Sequence, residues 1–497
     1  MKKIFYSLLL GLSLQLNAQI QQLSSFSTGK LESSFTVSNE NKELSAYVLL
    51  FNQGLSTGDK KMKFEYVLLD KNLNKITNGD FEVPYHKNIQ YVLGDVHVAG
   101  HNLYHNFRVY NRSRKAAVGH AQIAIDLKSK EVKYTNFVRD YQVKPLADGN
   151  LIAKEKDVYK NASYDYLVTY GDQHHSYSAY NYIYVDFFDN LLTENIGIYD
   201  QDFNMVYKYD PGKTSVLEER LIDLHDFKGN KVIVSETVLK MKGFKGMIEK
   251  ENIFIKDLKE DKNSIQISHQ TNTEKGYPRG VRASFIHDKL AIVTPITAAS
   301  SAMKGIRRTI YDENGKKETD TYTMFTDILS DIGFGTKKFE DGYKLKIKDI
   351  FNFEDESFLV LVEKNKERWN SQVGNNSKTE DYIILEFDTM GNFVNYTILE
   401  KTKLSKGYDA YLFAQRDIEN KEIIIYYEDL KGGIGKVKEK VLVINKITNG
   451  KITQERIPYF AKNKYFNFSN AKYGHVVITE YNDEDDAISI RLERVNL

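Results

Sequence analysis

Three histidines, His97, His101 and His105, stand four residues apart. On a helix that spacing puts imidazoles on one face, where they can ligate a metal. Here Gly100 interrupts, and VHVAGHNLYHNFRVY reads as two strands. The three therefore need not converge, and they read as structural or surface histidines. The run Asp483, Glu484, Asp485, Asp486 lacks the alternating oxygen ligands and the Gly of a calcium loop, so it reads as a solvated hairpin tip. GGIG at Gly432–Gly435 lies between two strands, with no helix N-terminus to supply amides to a phosphate. The chain has no cysteine, which removes thiol catalysis and thiolate zinc sites. A nucleophile elbow, a zinc-protease helix motif, a phosphate loop and a dinucleotide fingerprint are all missing from it. No catalytic residue, metal ligand or cofactor is assigned.

Two stretches carry residues suited to contact instead. GDQHHSYSAYNYIYVDFF bears His174, His175, Tyr177, Tyr180, Tyr182 and Tyr184, and NKERWN bears Arg368, Asn370 and Trp369, the only Trp of the chain. Aromatics with hydrogen-bonding tips are typical interface residues, and function concentrates on loops held by a rigid scaffold. What places these stretches on loops is the repeat in which they sit.

An apolar strand ending in Asp or Asn, followed by a short polar or Gly-containing turn, recurs at VLLD (Asp70), IAID (Asp126), GIYD (Asp200), FIKD (Asp257), TIYD (Asp312), LEFD (Asp388) and LVIN (Asn445). Successive spacings are 56, 74, 57, 55, 76 and 57 residues, so one supersecondary unit is copied along the chain. Each unit reads as strand, tight turn, strongly apolar strand, looser loop, third strand, Asp/Asn hairpin and fourth strand. The second strands (VLLF, VIVS, AIVT, LVLV, IIIY, VVIT) are nearly continuously apolar, as expected of a strand buried on both faces; DFEV, KITQERI and FVNYTI alternate, as expected of an outer strand. Sandwich arrays and β-solenoids have other periods.

In period and strand order the chain resembles the β-propeller superfamily. The resemblance predicts an all-β fold of four-stranded antiparallel blades, eight in number with seven as the alternative. Second strands are expected at Tyr47–Phe51, about Tyr104–Tyr110, Tyr166–Tyr170, Val232–Val238, Leu290–Thr294, Phe358–Val362, Ile423–Tyr427 and Val476–Tyr481. The last unit ends at its third strand, Ile488–Val495, so Gln19–Phe26 is expected to complete it and cover the edge. The two long spacings then read as insertions between second and third strands, Gly171–Thr193 and Asn365–Glu380, on the face where the blades connect. His174, His175, Tyr177, Tyr180, Arg368 and Trp369 are accordingly the expected binding residues.

The 497 residues, with formal net charge +1, no dense basic block, 34 Tyr, 27 Phe and 6 Pro, suit a strand-rich globular chain and exclude a nucleic-acid footprint. Lys2 and Lys3, the apolar Ile4–Leu16 and the small Ala18 before Gln19 read as a signal peptide over residues 1–18, leaving 19–497 as one domain. No long apolar run follows, so no transmembrane segment is expected in the mature chain. Lys- and Asn-rich chains beginning this way resemble Gram-negative envelope proteins of the Bacteroidetes kind, which implies a periplasmic or secreted location. Two functions fit: a monomeric binding module for a protein, peptide or glycan, or a hydrolase or lyase whose carboxylates or histidines come together at the channel from distant blades. Convergent carboxylates or histidines there would favour the enzyme, and an apolar, aromatic rim the binder.

Overall fold

A computed structural model gives the fold. It describes residues 19–495 except 39–42, 57–60, 86–88, 113–115, 139–141, 146–161, 172–174, 187–190, 211–217, 243–244, 261, 270–276, 279–280, 298–302, 335–342, 371–373, 403, 406–409, 418, 432–438, 449, 460–463, 483 and 485. The expected signal segment, His174, the GGIG segment, Asp483 and Asp485 lie outside the described residues.

The chain forms the eight four-stranded antiparallel blades of a β-propeller, with almost no helix. It divides into two compact units, one holding blades 1, 7 and 8 and the other blades 2 to 6. In the first unit, blade 8 is built from Lys464–Asn470, His475–Asn482 and Ala487–Arg494. Its fourth strand comes from the other end of the chain: Gln19–Gln22 pairs antiparallel with Ala487–Arg494, Gln19 opposite Leu492 and Gln22 opposite Ser489. The predicted closing strand is shorter than Gln19–Phe26. Leu23–Ser25 turns in a single 3-10 turn, and Leu23 and Phe26 drop into a core with Leu49, Phe51, Val477 and Ile490. Two apolar side chains so close together cannot both be buried by a strand that alternates its faces.

The second unit contains blade 2 (89–138, with a fifth strand Gln142–Pro145) and blade 3 (Ala162–Gly171, Ser176–Asp186, Leu191–Tyr199, Met205–Tyr209). Blade 4 follows (Glu218–Lys228, Lys231–Lys242, Lys245–Asp257, Lys262–His269), joined to blade 3 by one parallel bridge, Thr193 to Arg220. Blade 5 comprises Arg282–Ile286, Lys289–Thr297, Met303–Tyr311 and Lys317–Met324. Blade 6 comprises Lys344–Asn352, Phe358–Asn370, Gly374–Phe387 and Phe393–Leu399.

Second strands are sealed as their composition predicts. Val48 to Phe51 and Val360 to Val362 have no exposed surface, whereas the fourth strand Lys451–Pro458 alternates between exposed and half-buried. Most third-to-fourth turns are made by their Asp. One carboxylate oxygen of Asp70, Asp200, Asp312 and Asp388 accepts two backbone N–H groups two and four residues on, at 2.7–2.9 Å. The third residue after each is left-handed: Leu73, Phe203, Gly315 and Gly391 have φ of 67°, 63°, 79° and 81°. The ladder shifts register beside each turn, so the motif is a three-residue hairpin loop with a bulge.

Three expectations are corrected. Tyr166–Tyr170 is the first strand of blade 3, not the second, so Gly171–Thr193 is no inserted loop: it contains the second strand, Ser176–Asp186. The surplus of that unit precedes the blade, after residue 138. The second surplus does fall between second and third strands, but as strand: pairing runs on to Asn370 opposite Gly374. Asn445 is no turn residue; it pairs with Gln454 inside its strand and accepts a 2.8 Å bond from that side-chain amide.

Candidate functional site

The sequence-predicted residues part company. Tyr177 and Tyr180 sit in the second strand of blade 3, where six consecutive residues from Ser176 to Asn181 are buried. Tyr177 packs with Ala179, Ile196, Ile198 and Val232, and its hydroxyl donates to Asn230 Oδ1 at 2.6 Å. Tyr180 is wholly buried against Leu167 and Tyr199, its ring 5.7 Å from that of His120. Both are core residues between blades, because a strand flanked by two sheets buries both of its faces. His175 is half-buried, and its carbonyl accepts His97 Nε2–H at 3.4 Å. Arg368 and Trp369 lie near the end of the blade 6 hairpin, opposite Asn376 and Asn375. The first strand of that blade ends its pairing at Asn365, so the ribbon from Lys366 to Asn370 runs beyond it.

The histidine run does not converge. His105 is buried, stacked on Phe107 at 4.4 Å and pushed down to about 3 by burial, so it is neutral; His101 is exposed in a turn. Among the described residues no group of three or more His, Asp or Glu is placed to hold a metal ion.

A different set comes together along the first strands of blades 2 to 6, the strands nearest the axis in a propeller. Those of blades 2, 3, 4 and 5 are adjacent to one another. Asp95 of blade 2 accepts the Thr169 backbone N–H at 2.6 Å and is also bonded by Asn106; burial raises its carboxyl above the ordinary range. Tyr170 of blade 3 stacks on Phe227 at 4.5 Å, and burial with the Asp95 and Asp223 charges pushes its phenol up to about 12. Asp223 of blade 4 is exposed. Arg282 of blade 5, also exposed, donates to the carbonyls of Lys348 and Ile347 at 3.4 and 3.5 Å. In blade 6, Lys344 and Lys346 are exposed while Leu345 and Ile347 between them are buried. The row thus runs from carboxylate and phenol through carboxylate to guanidinium and ammonium.

Further carboxylates lie near Asp223: Glu194 on the third strand of blade 3 and Glu251 on the third strand of blade 4. Glu194 accepts the Ile222 N–H at 2.7 Å, and Glu251 lies near the start of blade 5, bonded to the backbone of Val281. Burial, with the Asp223 charge adding to it, pushes each up to about 7. His225 bonds Ser235 Oγ at 2.7 Å, a nucleophile–base distance. Ser235 is 1% exposed in the middle of a second strand and Glu251 is 1% exposed, so neither reaches a molecule at the blade edge.

Sequence reasoning missed this row. The available signal was the alternation of first strands, with charged residues on the side that no neighbouring blade covers, as in KLKIKD.

No protein-family model matches the chain, and no curated protein is similar to it in sequence. Among solved structures it is similar to the β-propeller domain of the Trilobed protease from Pyrococcus furiosus at 10% identity, covering 82% of this chain and 96% of that one with a TM-score of 0.35. It is similar to polysaccharide lyase Uly1 at 9% identity (94% and 100% covered, TM-score 0.40) and to the WD40 domain of SCAP from fission yeast at 8% (96% and 98%, TM-score 0.37). Likenesses at this level carry no argument about activity; the fold rests on this chain's own strand pairing. No helix among the described residues is long and apolar enough to cross a membrane.

Proposed function

We propose that this protein is an exported binding module that engages a protein, peptide or glycan partner through the inner row of blades 2 to 6 and the extended hairpin of blade 6. The observation that supports it is the row itself: Asp223, Arg282 and Lys346 are exposed on adjacent strands whose backbones the blades hold rigid. Rigid donors and acceptors of both signs favour recognition and orientation of a polar partner. Arg368 and Trp369, on the ribbon of blade 6, are the further contact residues of this reading.

The test is affinity capture from an envelope extract followed by titration of the captured partner. Arg368→Ala with Trp369→Ala is expected to weaken binding by about 1–3 kcal/mol, the range of interface anchors. Arg282→Glu with Lys346→Glu is expected to lower the on-rate and change its salt dependence. Unaltered affinity and on-rate in both double variants would reject the reading.

The hydrolase or lyase reading keeps one supporting observation, the convergence of Glu194 and Glu251 on Asp223 with carboxyls near neutrality. A general acid must come within hydrogen-bond reach of its substrate, and the burial of Glu251 works against that. Turnover of glycan, ester or peptide substrates that disappears in Asp223→Asn would favour the enzyme.

A further inference from the structure

The third strand of blade 5 carries two consecutive arginines with opposite fates. Arg307 is paired with Asp320, Nε to Oδ1 at 2.7 Å and Nη2 to Oδ2 at 2.9 Å. Arg308 points to the other side of the sheet, into the seam with blade 6, and is 1% exposed. Its guanidinium lies 4.2 Å from the Phe358 ring centre, and Nη2 donates to the Glu356 carbonyl at 2.6 Å. Such a contact stabilises the cation without supplying an oxygen acceptor to its N–H groups. Nε and Nη1 are buried and have no acceptor among the described residues.

The carboxylates that act on Arg308 through space are engaged elsewhere. Glu356 is paired with Lys289 at 2.6 Å, Asp355 with Lys421 and Ser357, and Asp388 with Asn392 and two backbone amides of its turn. Burial lowers the Arg308 guanidinium to about 10, which still leaves it a cation at neutral pH. A second donor lies on the same face of the blade. Arg308 pairs with Thr321, and Thr319, two pairs along and opposite Ile310, has a buried hydroxyl with no partner among the described residues. A buried charge with no contact counter-charge is costly unless an ion or fixed dipoles meet it.

We propose that the seam between blades 5 and 6 binds a small inorganic anion of the chloride class against Arg308. On the edge that the Glu356 carbonyl leaves open, such an ion takes one of the two open donors together with the second hydrogen of Nη2, and the Thr319 hydroxyl is available as a further donor. The site ties blade 5 to blade 6 and is independent of the partner-binding row.

The experiment is thermal unfolding of the full chain at constant ionic strength, with gluconate replaced stepwise by chloride. An ion that binds only the folded state raises the midpoint saturably, by about 1 °C for each kcal/mol of binding linkage in a chain of 497 residues. Arg308→Met is expected to abolish the chloride response. Should that variant not fold, Thr319→Val keeps the arginine and is expected to shift the response to higher chloride. Crystals grown in bromide are expected to show an anomalous peak beside Arg308. A midpoint indifferent to the exchange, an equal response in Arg308→Met, or no bromide peak in the seam would overturn the proposal and leave the open donors to water.

Discussion

At the scale of single residues, the turn Asp is the clearest case of a side chain setting local structure. Asp312 holds the N–H groups of Asn314 and Lys316 with one oxygen, and Asn keeps that oxygen while Ala does not. Asp312→Ala is expected to lose about 1–2 kcal/mol in urea unfolding and Asp312→Asn much less, in line with other side-chain caps of backbone amides. Equal losses in the two variants would remove the Asx bond as the cause. Gly391 is a stricter position: its φ is 81°, and a Cβ there would stand 2.5 Å from Thr321 Oγ1. Tyr177 shows the opposite relation between type and place, since a residue suited to contact is spent in the core. Tyr177→Phe removes the bond to Asn230 and is expected to cost about 1 kcal/mol, whereas Tyr180→Ala should cost about 3–5 kcal/mol, as for other buried aromatics. Denaturant midpoints that barely move for Tyr180→Ala would contradict its burial.

Blades 3 and 4, at the scale of the element, couple packing to pH through Glu194 and Glu251. Glu194 and Glu251 have carboxyls raised from 4.5 to about 7, first by burial and then by Asp223. The folded state therefore holds their protons more tightly than the unfolded chain does. Their contribution to stability is complete below about pH 4.5 and is lost as pH rises through about 7. The loss is of order 1–3 kcal/mol for each group. Glu251→Gln keeps the neutral form at every pH, so it is expected to match the wild type near pH 5 and to exceed it near pH 8. Parallel pH profiles for the two proteins would show that Glu251 titrates as an ordinary surface group. Blade 8 is the other element with a distinct dependence, because its fourth strand comes from Gln19–Gln22. Removing residues 19–22 uncovers the edge of Ala487–Arg494, which should lower the melting midpoint and promote aggregation. A truncated protein as stable and monodisperse as the intact chain would deny that role.

For the whole molecule, the proposed export predicts a mature chain beginning at Gln19, read directly by intact mass after expression in a Gram-negative host. Retention of Met1 on protein recovered outside the cytoplasm would reject cleavage there. Blade number, strand order and the closing strand were legible in the sequence because they follow from period and polarity, which every copy of the unit repeats. The apolar second strands at Val48 and Val360 and the Asp turns at Asp70 and Asp388 are local facts, and local facts survive in one dimension. The site was not legible in this way. Tyr177 and Tyr180 resemble loop residues in composition, yet partners outside their own strand hold them inside, among them Asn230 of blade 4 and His120 of blade 2. Asp95, Tyr170, Asp223, Arg282 and Lys346 stand as far apart as 251 positions along the chain, and adjacent first strands set them in one row. Which charged residues face a neighbouring blade and which face the open side depends on how consecutive sheets stack. That packing is a property of the tertiary structure, so the sequence determined the blades and the folded protein alone decided what they present.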